Sequence, residues 1–202
     1  MNQLQRLIVW LRRMPKSRGF GVQSPSAYRF IRYVISEHYP YYAYAELRAA
    51  HPSIDWLARK KLELYFRVSN FRQADILIDY SLDSSHLAHY VNRGCHRTQV
   101  INAHTSDAHI ADIASSQPKS RTVQISRICP IDGSEQFLSH VLTHSDTATL
   151  LIIEDIATSP TASRMWQQLI ADPRISVSYD LYYLGIAFFD IERHKTNYIV
   201  NF

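Results

Sequence analysis

Two hydrophobic periods alternate along the second half of the chain. Short apolar runs predict strands at residues 76–79, 100–103, 123–126 and 150–153, and stretches with helical spacing lie between them. Ser84 or Ser85 can cap the helix after the first strand, and Ser159 with Pro160 can begin the helix after the fourth. Because consecutive strands begin far enough apart to be joined by a helix, the pattern predicts right-handed βαβ crossovers and a mainly parallel sheet.

The helices between the strands have recognisable ends. A cap at Ser106 predicts a helix around residues 110–114 that stops at Pro118, and a further helix is expected around residues 137–142. We expect Gly94 to end the first crossover helix in a left-handed conformation.

The last 28 residues follow a different pattern. Apolar runs at 175–179, 186–189 and 198–202 lie too close together for crossover helices, which predicts antiparallel pairing. The expected fold is α/β: an open, three-layer Rossmann-like sheet, mostly parallel with an antiparallel C-terminal edge, behind an N-terminal helical extension.

The N-terminal part is helical and basic. Leu4, Leu7, Ile8 and Leu11 predict an amphipathic helix, and further helices are expected around residues 28–35 and 54–68. Residues 1–72 carry thirteen Lys and Arg against four Asp and Glu, whereas residues 73–202 carry nine against fourteen. This shift predicts a basic extension over 1–72 and an α/β domain over 73–202. The first helix either contacts a membrane or nucleic acid, or packs its apolar face on the domain and leaves its arginines solvated.

Glycine scarcity excludes several classes of nucleotide-binding enzyme. The chain has only five glycines, and its only GxG, Gly19 to Gly21, precedes every predicted strand. Phosphate-binding loops need glycine for positive φ and close backbone approach, so P-loop NTPases and standard dinucleotide-binding enzymes are excluded. Two cysteines and no signal-peptide cleavage site lead us to expect a cytoplasmic protein.

Four stretches carry a resemblance to a known family. They are GVQSP at 21–25, LIIEDI at 151–156, PRISV at 173–177 and LGIAFF at 184–189. Together with the order of elements, they resemble the class I S-adenosylmethionine-dependent methyltransferase-like proteins common in Bacteroidetes. The resemblance covers nearly the whole chain and implies a methyltransferase fold.

The resemblance places a cofactor site at the ends of the first two strands. It implies S-adenosylmethionine contacts at Asp79, Ser81, Asp83 and Asn102. The family's two loop glycines fall at Asp79 and Asp83, and its acidic ribose ligand falls at Asn102. Since side chains replace bare backbone and an amide replaces a carboxylate, we expect a degenerate site with weak or absent cofactor binding.

The resemblance also implies a divalent metal. Asp132 resembles the family's Asp-containing turn, and Glu154 and Asp155 resemble its paired carboxylates. In related catechol-type O-methyltransferases such residues hold a metal that acidifies a substrate hydroxyl, which here implies Mg²⁺ on all three residues, with Asp132 and Asp155 catalytic. The alternative is that Glu154 and Asp155 only end a buried strand and cap the next helix.

Three functions follow from these observations. The first is a pseudoenzyme: a non-catalytic interaction or regulatory module with an unidentified protein partner. The second is an active O-methyltransferase acting on a small hydroxylated substrate. The third is attachment of the basic N-terminal part to nucleic acid or an anionic membrane. The aromatic terminal strands would also suit a homodimer.

Overall fold

The computed structural model describes residues 3–15, 22, 24–104, 124–189 and 195–202. The helices are α1 (Gln3–Arg13), α2 (Pro25–Phe30, continued by a π-helical turn over Ile31–Ile35), α3 (Tyr42–Ala50), α4 (Trp56–Arg72), α5 (Ser85–Gly94), α6 (Ser134–His144) and α7 (Pro160–Ala171). The strands are β1 (Ile76–Tyr80), β2 (Gln99–Asn102), β3 (Gln124–Ile128), β4 (Thr149–Glu154), β5 (Ile175–Asp180), β6 (Leu184–Phe189) and β7 (Thr196–Ile199). The helix predicted around 110–114 falls outside the described residues.

The strands form one sheet in the order β2-β1-β3-β4-β6-β5-β7. β2, β1, β3 and β4 run parallel, and β6 is antiparallel to both β4 and β5. The predicted Rossmann-like sheet with an antiparallel C-terminal part is therefore confirmed. The prediction of antiparallel pairing was wrong for the last strand. β7 lies at the outer edge of the sheet, where it pairs with β5 and runs parallel to it.

Helices cover both faces of the sheet, because alternate strand residues point to opposite sides. Leu150 and Ile152 pack with apolar residues of α2, α4 and α5, whereas Leu151 and Ile153 pack with those of α6 and α7. Every residue of β4 is buried, as expected for a central strand between two helical layers.

Residues of the predicted N-terminal extension contribute to the first of these cores. Phe30 and Val34 from α2 and its π-helical turn, with Leu64 and Val68 from α4, are buried against the sheet. Asp55 caps the start of α4, and its carboxylate accepts hydrogen bonds from the amides of Leu57 and Ala58.

Gly94 has a different role from the one predicted. It is the last residue of α5, and Gly133 is the only described glycine with a positive φ. A Cβ atom at Gly94 would lie 2.2 Å from the carbonyl oxygen of Phe66 in α4. Glycine is needed here because α4 and α5 pack too closely to admit a side chain.

Candidate functional site

Polar residues occupy the carboxyl ends of the four parallel strands. Sheet register places Asp79 of β1 directly between Asn102 of β2 and Arg127 of β3. In each of their strands, the residue two positions before Asp79, Arg127 or Glu154 is apolar and faces α4 and α5. Because strand side chains alternate, all three are directed toward the same helices.

Arg127 joins the two buried carboxylates. Its Nη1 donates to Asp79 Oδ1 at 2.7 Å, and its Nε donates to Glu154 Oε1 at 3.2 Å. The side chains of Asp79, Glu154 and Arg127 are 0%, 3% and 15% exposed. A single guanidinium therefore bridges β1 and β4 at the edge where Rossmann-like folds bind ligands.

α4 supplies two more members of this network. Lys61 Nζ donates to Glu154 Oε2 at 2.6 Å and to Asp155 Oδ1 at 3.3 Å. One turn later, the Tyr65 hydroxyl donates to Glu154 Oε1 and accepts from Arg127 Nε at 3.2 Å. Lys61 and Tyr65 reach the same carboxylate because residues four apart share one face of a helix.

The loop after β1 closes on the same network. Asp79 Oδ2 accepts hydrogen bonds from the hydroxyls of Ser81 at 2.5 Å and Ser84 at 2.6 Å. The Asn102 amide donates to the Ser81 carbonyl at 3.0 Å and to Ser84 Oγ at 2.7 Å. Three of the four predicted cofactor residues, Asp79, Ser81 and Asn102, thus come together, and they contact one another.

Asp83, the fourth predicted cofactor residue, joins this cluster only through its carbonyl, which accepts from the Ser81 hydroxyl at 3.1 Å. Its carboxylate accepts from the amide of Ser85 at 2.8 Å and from the Ser85 hydroxyl at 3.0 Å, and so caps α5. Ser84 was predicted as a capping residue, and it occupies the cap position, but its hydroxyl donates to Asp79 instead. The first amide of α5 is therefore satisfied by Asp83, one residue before the cap position.

The network favours its ionised forms. Burial by itself raises the pKa of Glu154, but Arg127 and Lys61 outweigh burial and hold that pKa below its ordinary value. Burial likewise lowers the pKa of Lys61, and the adjacent Glu154 reverses this and raises the Lys61 pKa. At the nearby Cys129 thiol the balance is reversed: burial outweighs the opposing effect of Arg127 and raises the pKa to about 12.

A cleft of about 450 Å³ opens beside the network. The cleft is lined by Lys61, Tyr65, Arg127 and Glu154 of the network and by His86 in the first turn of α5. The volume falls in the range of small-molecule sites.

The three carboxylates predicted to hold Mg²⁺ do not form a metal site. The carboxylate of Glu154 already accepts hydrogen bonds from Lys61, Tyr65 and Arg127, and that of Asp155 accepts one from Lys61. Asp132 lies on an exposed turn, where its carbonyl accepts from the Tyr80 hydroxyl at 2.9 Å. Within the described part of the chain, no three His, Cys, Asp or Glu side chains are placed to hold a metal ion. The residues present therefore do not fit a divalent cation, because Lys61 and Arg127 already pair with Glu154 and Lys61 also pairs with Asp155, and Asp132 is not grouped with them.

Sequence reasoning missed Lys61, Tyr65 and Arg127. Arg127 could have been found from alternation, because it follows the inward-facing Ile125 by two residues in an otherwise uncharged strand. Lys61 and Tyr65 carried no signal, since the direction in which α4 crosses the sheet is a tertiary property.

The network gives stability a specific pH dependence. The pKa of Glu154 is lowered in the folded protein, so its contribution is complete above the ordinary glutamate pKa of 4.5 and is lost as pH falls through the folded value. We expect the free energy of unfolding, measured by urea titration, to fall as pH decreases below 4.5. Glu154→Gln should flatten this dependence, whereas Asp132→Asn, at an exposed residue, should leave it unchanged. An equal slope in Glu154→Gln and the wild type would contradict the assignment.

The chain as a whole resembles solved structures in its fold. No protein-family model and no curated protein matches the sequence. The methyltransferase PaMTH1 of Podospora anserina, bound to S-adenosylhomocysteine (SAH), aligns over 82% of this chain and 93% of its own. Its TM-score is 0.52 and its sequence identity is 11%. Cofactor-bound Rv0187 from MTB aligns over 81% of this chain and 95% of its own (TM-score 0.48, 9% identity). An O-methyltransferase from Bacillus cereus in complex with SAH aligns over 81% and 97% (TM-score 0.46, 10% identity). At such identity the likeness to PaMTH1 establishes architecture alone: this chain has the Rossmann-like methyltransferase fold.

Proposed function

We propose that the protein is a non-catalytic methyltransferase-fold module, which acts by binding a partner and does not transfer methyl groups. The observation that carries this proposal is the Arg127 guanidinium bridging Asp79 and Glu154. In the family that the sequence resembles, the loop after the first strand presents backbone to S-adenosylmethionine. Here the corresponding residues are bonded to each other.

The cofactor fits this arrangement poorly. Both oxygens of Asp79 have partners, Arg127 on one and two serine hydroxyls on the other, and the residue is fully buried. The Asn102 amide donates within the loop, and its oxygen accepts from the His104 amide at 2.9 Å. A ribose at this position would have to displace bonds that hold the loop closed.

The free energy needed to open the network supports weak or absent cofactor binding. Separating a buried ion pair costs about 3–5 kcal/mol, which weakens an affinity by roughly 10²- to 10⁴-fold. A site that would otherwise bind S-adenosylmethionine at about 1 μM would bind it near or above 0.1 mM. The residues therefore support a scaffold in which ion pairs occupy the ancestral cofactor position.

A second candidate is favoured by the cleft. Its volume of about 450 Å³ would accept a small ligand without opening the network. An S-adenosylmethionine-dependent O-methyltransferase acting on a small hydroxylated substrate would use this space, with Asp83 among its lining residues.

Calorimetric titration distinguishes the two candidates. We expect no binding of S-adenosylmethionine or S-adenosylhomocysteine (SAH) below about 0.1 mM, by wild type or by Asp83→Ala. An active methyltransferase titrated with the same ligand solutions serves as the positive control. Circular dichroism shows that the wild type and Asp83→Ala are folded. Micromolar binding by the wild type that is weakened in Asp83→Ala would establish the second candidate and refute the first.

A further inference from the structure

The first helix presents its apolar face to solvent. Leu4, Leu7, Ile8 and Leu11 are 65%, 53%, 40% and 49% exposed, and Trp10 and Met14 are 46% and 41% exposed. Contiguous exposed apolar side chains of this kind mark an interaction surface.

The opposite face of α1 holds the helix on the domain. Arg13 Nη2 donates to the carbonyl of Asp180 at 2.7 Å and to its Oδ1 at 2.9 Å. The Arg6 guanidinium lies 4.9 Å from the centre of the Trp56 ring. At about 100° per residue, the exposed leucines and Ile8 span about 100° of the helix, roughly opposite the two arginines. The sequence alternative in which the apolar face packs on the domain is therefore wrong, because the arginines occupy that position.

Charge indicates what covers the exposed face. The first 36 residues contain seven Lys and Arg and no Asp or Glu. Arg12 is exposed and, at about 100° per residue, lies about 40° around α1 from Ile8. The exposed apolar face of α1 is thus bordered by an arginine, and it belongs to a part of the chain without acidic residues in which Arg29 and Arg32 are also exposed.

We propose that α1 docks the protein on an anionic lipid surface, with its leucines at the boundary between headgroups and acyl chains. An anionic bilayer satisfies both properties, since it offers an apolar interior beneath negative headgroups. A second copy of the chain would bring two cationic helices together, and nucleic acid would leave the leucines without an apolar partner. None of the described helices is long and apolar enough to cross a bilayer, so the contact is peripheral. This inference does not depend on the proposed function.

Vesicle sedimentation tests the proposal. The full chain is mixed with phosphatidylcholine vesicles that contain about 30% phosphatidylglycerol, and with pure phosphatidylcholine vesicles. We expect binding to the anionic vesicles that weakens as salt rises. Leu4→Ser/Leu11→Ser should weaken it at least about tenfold, because two apolar side chains no longer enter the lipid.

A matched control separates this surface from general hydrophobicity. Leu82→Ser changes a leucine that is 69% exposed in the loop between β1 and α5, and it should bind vesicles as the wild type does. Ile8→Ser provides a second variant on α1, and thermal unfolding shows that each variant is folded.

Several results would overturn the proposal. The first is that the wild type does not bind anionic vesicles at low salt. The second is that the double variant binds these vesicles as tightly as the wild type does. A homodimer that dissociates in the double variant, or duplex DNA binding that the same substitutions weaken, would assign the face to another occupant.

Discussion

Replacing Arg127 with methionine is expected to lower the free energy of unfolding by about 3–5 kcal/mol. Methionine keeps much of the apolar stem but removes the charge that faces Asp79 and Glu154. Asp79 is fully buried, and after the substitution its carboxylate would keep the two serine hydroxyls but lose its arginine. An unneutralised carboxylate in this position costs far more than a lost surface contact.

Urea denaturation of the wild type and two matched variants measures this effect. Arg164→Met removes an exposed arginine paired with Glu135 at 2.9 Å, and should cost less than about 1 kcal/mol. Arg127→Lys retains the charge but cannot bridge two carboxylates as a guanidinium does, so its stability should lie between the wild type and Arg127→Met. A loss below about 1 kcal/mol for Arg127→Met would show that the bridge contributes little.

Gly94→Ala should destabilise the protein by about 1–3 kcal/mol or more, although alanine is the better helix former by about 1 kcal/mol. The added Cβ atom would lie 2.2 Å from the Phe66 carbonyl oxygen and 3.2 Å from Ser69 Cβ. Since the nearest atom is backbone, relief requires α5 to move away from α4. That movement would also displace Ser69, whose hydroxyl donates to the Val91 carbonyl at 3.0 Å.

Thermal unfolding tests this steric account. Asn92→Ala, at an exposed position of the same helix, is the matched control. It introduces the same good helix former without adding a Cβ atom against α4. It should change stability by less than about 0.5 kcal/mol. If Gly94→Ala is as stable as the wild type, the close packing of α4 and α5 is not what requires glycine.

The strands could be predicted because the hydrophobic period of the sequence agrees with the burial of the strand residues. Four apolar runs became β1 to β4, and register then fixed the row formed by Asn102, Asp79 and Arg127. The direction of β7 could not be predicted, because strand propensity does not encode which neighbour a terminal strand pairs with. The same limit applies to Gly94, whose role arises from the separation of two helices.

Amphipathicity predicted α1 but not its orientation. A hydrophobic stripe normally faces the core, and here ion pairing of Arg13 with Asp180 places it outward. The candidate site shows the same division between local and tertiary information. Asp79 and Glu154 could be placed at strand ends from sequence, whereas their neutralisation by Arg127 and Lys61 depends on how strands and α4 meet.

A crystal structure of the protein grown with excess SAH shows whether ion pairs or cofactor occupy the ends of β1 and β2. We expect Arg127 within hydrogen-bond distance of both Asp79 and Glu154, with no SAH at the ends of these strands. SAH bound there, with Asp79 released from Arg127 and the two serines, would contradict this expectation.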